Sequence, residues 1–202
     1  MKIPAVLLIL FFIGCGSGQS GAAHKGMSMI RIATFAGGCF WCLEADFEKV
    51  PGVVKAISGY TGGHRENPSY EEVSTGTTGH AEAVQVYYDP SKITYQELLE
   101  FFWQHIDPTD PGGQFADRGS QYRTAIFYHD KEQRRLAEES KQALSKSGRF
   151  DKPVVTEIMP FAKFYEAEDY HQDYHQKQSS GYQLYRYGSG RDQFLEKAWE
   201  KK

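Results

Sequence analysis

Two of the chain's three cysteines, Cys39 and Cys42, stand in the hexapeptide GGCFWC at residues 37–42. A thiol can be a nucleophile, a metal ligand or half of a disulfide, and C-x-x-C spacing admits all three. The neighbours narrow the chemistry. Gly37 and Gly38 permit a sharp turn with no Cβ in the way. The stretch CFWCLEADFEKV that follows has helical character and is closed by Pro51 and Gly52. Cys39 therefore stands at a helix start, where the positive end of the dipole lowers a thiol's pKa and favours the thiolate. Cys42 follows at i+3 and reaches Cys39 with modest unwinding. Cys39 reads as the attacking thiol and Cys42 as the second. A structural disulfide at this spacing closes a very small loop and adds little stability.

Glu82 is the second residue with chemical meaning. In AEAVQVYYD (81–89) it shares a strand face with Val84 and Val86. A carboxylate on an apolar face is costly unless protonated or paired. Burial raises its pKa and keeps a general acid loaded near neutral pH. The alternative is a solvent-facing glutamate at the strand's start. His80 reads as a structural histidine, with a base as the other option. His171 and His175, at i and i+4, could join Cys39 and Cys42 in a Cys₂His₂ zinc site.

The elements that must position these groups are legible in outline. Strands are expected at 30–36, 53–60, 81–89, 122–128 and 153–159. Thr94 and Glu97 form a capping box that opens a helix with Leu98, Leu99, Phe102 and Ile106 on one face. Asp130 caps a charged helix running to Ser147 and Gly148, and 165–178 reads as helical. The residues at 61–79 and 107–120 read as loops long enough to be functional. Strands and helices mix without strict βαβ alternation, which argues for one α+β domain around a mixed sheet.

The first residues are a separate object. A lysine, an apolar run at 5–13 and then Gly14 and Cys15 fit a secretory signal of the bacterial lipoprotein kind. The run is shorter than a spanning helix needs. Residues 1–14 are then the signal, Cys15 the lipidated first residue, and 15–29 a flexible tether. Residues 30–180 form the catalytic domain, and the polar, Tyr-rich 181–202 a tail packing on it. Export would put the cysteines where disulfides persist. The net charge of −3 offers no electrostatic footprint for nucleic acid.

GGCFWC, GYTGG (59–63), NPSY (67–70), TGHAEAVQVYYDP (78–90) and DRGSQYR (117–123) together closely resemble the peptide-methionine (S)-S-oxide reductases, the A-class methionine sulfoxide reductases. The resemblance runs from about residue 35 to about residue 178. It implies a two-layer α+β sandwich with a ferredoxin-like core. It makes Cys39 the nucleophile and Phe40 and Trp41 the pocket for the substrate's methyl group. Tyr70 and Tyr122 would hydrogen-bond the sulfoxide oxygen, Glu82 would supply its proton, and Asp117 would help build the site. The chemistry suits these types, because thiolate attack on a sulfoxide needs an acid and neutral donors at the oxygen. Family members with a distal resolving cysteine differ from this chain, which has no cysteine after Cys42. As in members carrying GCFWC, Cys42 would resolve the Cys39 sulfenic acid, and a thioredoxin-like donor would reduce the disulfide. The implied protein is a monomer with no bound cofactor or metal, touching a membrane only through its anchor. Two rival readings are a thioredoxin-like disulfide oxidoreductase, from C-x-x-C alone, and a zinc-stabilised binding module.

Overall fold

The computed structural model describes residues 29–200. The expected signal, Cys15 and all of the tether but Met29 lie outside the described residues. In chain order the elements are β1 (Arg31–Gly37), α1 (Phe40–Phe47), β2 (Val53–Thr61), α2 (Tyr70–Ser74), β3 (Ala81–Tyr88) and α3 (Tyr95–Trp103). Then come β4 (Gly113–Gln114), β5 (Asp117–Arg118), a 3₁₀ turn (Ser120–Tyr122), β6 (Thr124–Tyr128) and α4 (Lys131–Lys146). The chain closes with β7 (Glu157–Pro160), β8 (Phe164–Glu166), α5 (Tyr174–Lys177), α6 (Ser179–Gly188) and α7 (Arg191–Trp199).

The main sheet has the order β7-β6-β1-β3-β2-β8. Its four inner strands are antiparallel and, with α1 and α3, give the β-α-β-β-α-β ferredoxin-like core. β7 joins β6 in parallel and β8 joins β2 antiparallel, so the sheet is mixed. One α+β domain results, as the sequence predicts.

Alternation in the inner strands decides which face is covered. Ala33 and Phe35 of β1 and Val84 and Val86 of β3 point to the helices, where they meet Leu43 and Phe47 of α1 and Leu98, Leu99 and Phe102 of α3. Phe35 stacks on Phe47 at 5.2 Å and on Phe102 at 4.9 Å between centroids. Gly37 lets β1 approach the helix layer closely, since a Cβ there would lie 2.6 Å from Ile106. The opposite face carries smaller residues, Ala36, Ala81, Ala83 and Ala125, around Phe127.

Capping chemistry sets the helix starts. Thr94 Oγ1 accepts from the Glu97 N–H and Glu97 Oε2 from the Thr94 N–H, which is the expected box. Asp130 accepts from the Gln133 N–H. The stretch expected to be one long loop at 61–79 contains α2, opened by an equivalent box between Ser69 and Glu72. Three boundaries also differ. The strand expected from 122 starts at Thr124, because the 3₁₀ turn takes Tyr122. The strand expected from 153 starts at Glu157; Val155 hydrogen-bonds Pro108 O instead of a neighbouring strand. The helix expected over 165–178 is β8, turns and the short α5. Its sequence has no continuous apolar stripe, and the free edge of β2 captures residues 164–166. No helix among the described residues is long and apolar enough to cross a membrane.

Candidate active site

The segment between β1 and α1 sets the position of Cys39. Gly38 adopts φ +80°, and a Cβ there would lie 2.5 Å from the Gln114 Cβ. A side chain is excluded both by conformation and by space. Cys39 is the residue before the first helical residue of α1, and it is buried, with 5% of its surface exposed.

Glu82 on β3 lies across from that helix start. Its Oε2 accepts the Phe40 backbone N–H at 3.0 Å, and only 3% of the residue is exposed. Burial pushes the carboxyl up to about 8, the Phe40 N–H pulls it back, and Asp117 adds to the rise. Glu82 is therefore protonated at neutral pH. One oxygen is held by α1, which leaves the other to carry a donatable proton.

A cavity of about 140 Å³ lies in front of these groups. Cys39, Phe40 and Trp41 line it from α1 and its cap, Tyr70 from α2, Glu82 from β3, and Asp117 and Tyr122 from the β5–β6 segment. Positions spread over 84 residues of sequence thus share one small chamber. Tyr70 starts α2 and is fixed by its backbone N–H donating to Glu168 Oε1 at 2.8 Å. Burial, with Glu82 nearby, raises both Tyr70 and Tyr122 above the ordinary phenol range, so both are neutral donors.

Cys42 does not line the cavity. It is fully buried behind it, in a cluster with Ala45 and Tyr182 under α6. The thiol electrostatics depart from the sequence expectation. Burial pushes the Cys39 thiol well up, and the Cys42 and Glu82 groups beside it add to the rise. The helix dipole is too weak to offset removal from water. The Cys42 thiol is pulled down instead, by a hydrogen bond from Cys39 and then by Arg191 and Arg186.

Sequence reasoning missed the contribution of the C-terminal segment. Tyr185 of α6 is the eighth residue of the cavity wall, and its hydroxyl donates to Asp117 Oδ2 at 2.5 Å. Trp41 is fixed by the same segment: Tyr174 stacks on it at 3.8 Å, and its indole N–H donates to His171 Nδ1 at 3.1 Å. Arg191 is 1% exposed and donates to Gly37 O and His105 O. The available signal was the i, i+3, i+4 spacing of Tyr182, Tyr185 and Arg186, which puts all three on one helix face.

The zinc alternative fails on geometry. His171 Nδ1 accepts the Trp41 indole N–H and His175 Nε2 faces Glu48 at 3.4 Å, and neither histidine falls in one ligand group with Cys39 and Cys42 among the described residues. Among the described residues the group close enough to hold an ion is Glu44, Glu48 and Asp173, and it contains neither cysteine. The His80 ring is satisfied structurally, with Nε2 bonded to Arg65 O at 2.7 Å and Nδ1 accepting the Gly63 N–H.

A family model described as peptide methionine sulfoxide reductase matches residues 31–202. A Bacillus licheniformis protein named peptide methionine sulfoxide reductase MsrA is 59% identical over 172 residues, covering 85% of this chain and 95% of that protein. Mxr1 from Saccharomyces cerevisiae in reduced form superimposes with a TM-score of 0.69 at 36% identity, over 76% of this chain and 88% of its own. Mxr1 in complex with Trx2 gives 0.50 at 27% identity, over 73% and 86%.

Proposed function

The chain belongs to the peptide methionine sulfoxide reductase family, and from that premise we propose that it reduces the S-epimer of methionine sulfoxide, free or in proteins, through a sulfenic acid on Cys39. The protein is an oxidoreductase of methionine sulfoxide. The observation that carries the finer reading is the cavity itself: a thiol, a protonated buried carboxyl and two neutral phenols face one aromatic wall.

The sulfoxide methyl packs against Phe40 and Trp41, which suit a methyl next to polarised sulfur. The oxygen then points to Glu82, Tyr70 and Tyr122. As the Cys39 sulfur attacks, Glu82 gives its proton to the oxygen and the phenols share the developing charge. The S–O bond breaks and the oxygen passes to Cys39. Methionine leaves, and Cys39 is oxidised by two electrons to the sulfenic acid. Cys42 then attacks the Cys39 sulfur, water leaves, and a Cys39–Cys42 disulfide forms. The environment that pulls the Cys42 thiol down favours the thiolate this step needs. The first turn of α1, where the Cys42 N–H bonds Cys39 O at 3.2 Å, has to loosen for the bond to close. A thioredoxin-like dithiol then reduces the disulfide by exchange, a role supported by the Mxr1 complex with Trx2.

A donor side, a methyl side and a nucleophile give the cavity a handedness, so the two sulfoxide epimers cannot fit alike. The protein is expected to consume the S-sulfoxide of a blocked methionine with dithiothreitol and to leave the R-sulfoxide untouched, as followed by chiral chromatography. Turnover of both, or of neither, rejects the reading. Export and anchoring through Cys15 belong to the same proposal and are supported by the signal-like residues 1–15. A mature chain beginning at Cys15 and carrying lipid mass is the expected result of intact-mass analysis.

A further inference from the structure

The proposed reductase step needs Cys39 as a thiolate, yet burial holds the proton on it. A group in the cavity must accept that proton. Glu82 is already protonated at neutral pH. Tyr70 and Tyr122 are neutral phenols whose ionisation is pushed further up. Arg191, on α7, is a cation. Asp117 on β5 remains. Its carboxylate accepts the Tyr185 hydroxyl at 2.5 Å, and that hydroxyl also interacts with the Cys39 thiol.

We propose that Asp117 is the base that takes the Cys39 proton and that Tyr185 of α6 relays it. The step balances within three residues. The Cys39 proton passes to Tyr185 Oη while the hydrogen already on Oη passes to Asp117 Oδ2. The result is a Cys39 thiolate, a Tyr185 hydroxyl now donating to it, and a neutral Asp117. After Glu82 has given its proton to the sulfoxide oxygen, Asp117 returns one through water to the Glu82 carboxylate. No oxidant or external base is consumed.

The surroundings favour this assignment. Burial raises the Asp117 carboxyl and so its affinity for a proton, while the Tyr185 hydrogen bond and Arg191 pull it part of the way back. Tyr185 also lies edge-on to Trp41, with centroids 5.8 Å apart and planes at 86°, so its ring is held independently of its hydroxyl. The relay places acid and base on different carboxyls with different partners, Glu82 on the Phe40 N–H and Asp117 on the Tyr185 hydroxyl, a division of labour that acid–base chemistry at one pH requires. Cys42 on α1 is the rival acceptor, since its thiol is also in contact with that of Cys39.

This inference rests on the proposed reductase chemistry, but its test does not need the substrate. The full chain is alkylated with iodoacetamide across the neutral pH range, and modification of Cys39 is followed by peptide mass mapping. In the wild type the Cys39 rate is expected to be nearly independent of pH, because the proton moves within the protein. In Tyr185→Phe and Asp117→Asn the thiol must ionise to solvent, and the rate is expected to rise about tenfold per pH unit. The double variant is expected to behave as either single one. Cys42→Ser is expected to keep the flat profile. Flat profiles in both Tyr185→Phe and Asp117→Asn, whatever their absolute rates, would overturn the relay. A slope acquired by Cys42→Ser would assign the base to Cys42 and overturn it equally. Failure of the epimer assay would leave this readout intact, so the two readings fall separately.

Discussion

Glu82→Gln is expected to slow single-turnover reduction of the S-sulfoxide by on the order of 10²–10³-fold. The variant is nearly isosteric, and its amide oxygen can still accept the Phe40 N–H that Glu82 Oε2 holds at 3.0 Å. What it loses is a proton that can be given away. The pH dependence separates this from a packing defect. Glu82 titrates at about 8 in the folded chain, so the acid is loaded below that value and lost above it. The wild-type rate should fall as pH rises through about 8, and the variant should lack that limb. Rapid-quench measurement of methionine formed per enzyme, across pH, reads both. An unchanged rate would mean that the oxygen's proton comes from another group.

The same shift acts on stability. The folded pKa lies above the ordinary carboxyl value, so the contribution of the protonated form is complete below that ordinary value. It is lost as pH rises through about 8. Urea unfolding should show the wild type losing stability over that window, with Glu82→Gln losing less.

The second large effect is on recycling. Cys42→Ser is expected to complete one reductase turnover and then stop with thioredoxin as donor, leaving Cys39 as sulfenic acid. Cys42 lies outside the cavity and touches no proposed substrate group, so the first turnover has no need of it. The chain offers no cysteine after Cys42 to replace it. A dimedone adduct on Cys39, mapped by mass spectrometry, would identify the stalled species. Full thioredoxin-supported cycling in this variant would exclude Cys42 as the resolving thiol. The burial of Cys42 under Tyr182 also means that α6 must shift before a protein reductant can reach that sulfur.

Local features were legible wherever a residue's role depends on its immediate neighbours. Gly37 and Gly38 announced a turn because only a residue without a Cβ fits there. Thr94, Glu97 and Asp130 announced helix starts because capping is a contact over three residues. Side-chain alternation put Glu82 on the face of Val84 and Val86, but only the structure decided between burial there and a solvent-facing strand start. The resemblance assembled seven cavity residues, and the structure gathers all seven. The same local logic was available for the Ser69–Glu72 box but was outweighed by the surrounding Gly, Thr and Asn.

Long-range choices were not legible in this way. Residues 164–166 became an edge strand because β2 had a free edge, a fact about another part of the chain. The thiol electrostatics reversed for a similar reason. A helix dipole can be read from a helix start, but desolvation depends on everything packed around the thiol. That packing comes from α6 and α7, more than 130 residues downstream, which bring Tyr185 to Asp117 and Arg191 beneath Gly37. The sequence by itself determined the reactive groups, their local turns and caps, and the family. Only the tertiary structure decided which thiol is held protonated and which tyrosine meets Asp117. Both depend on burial and on contacts between distant segments, which no local pattern encodes.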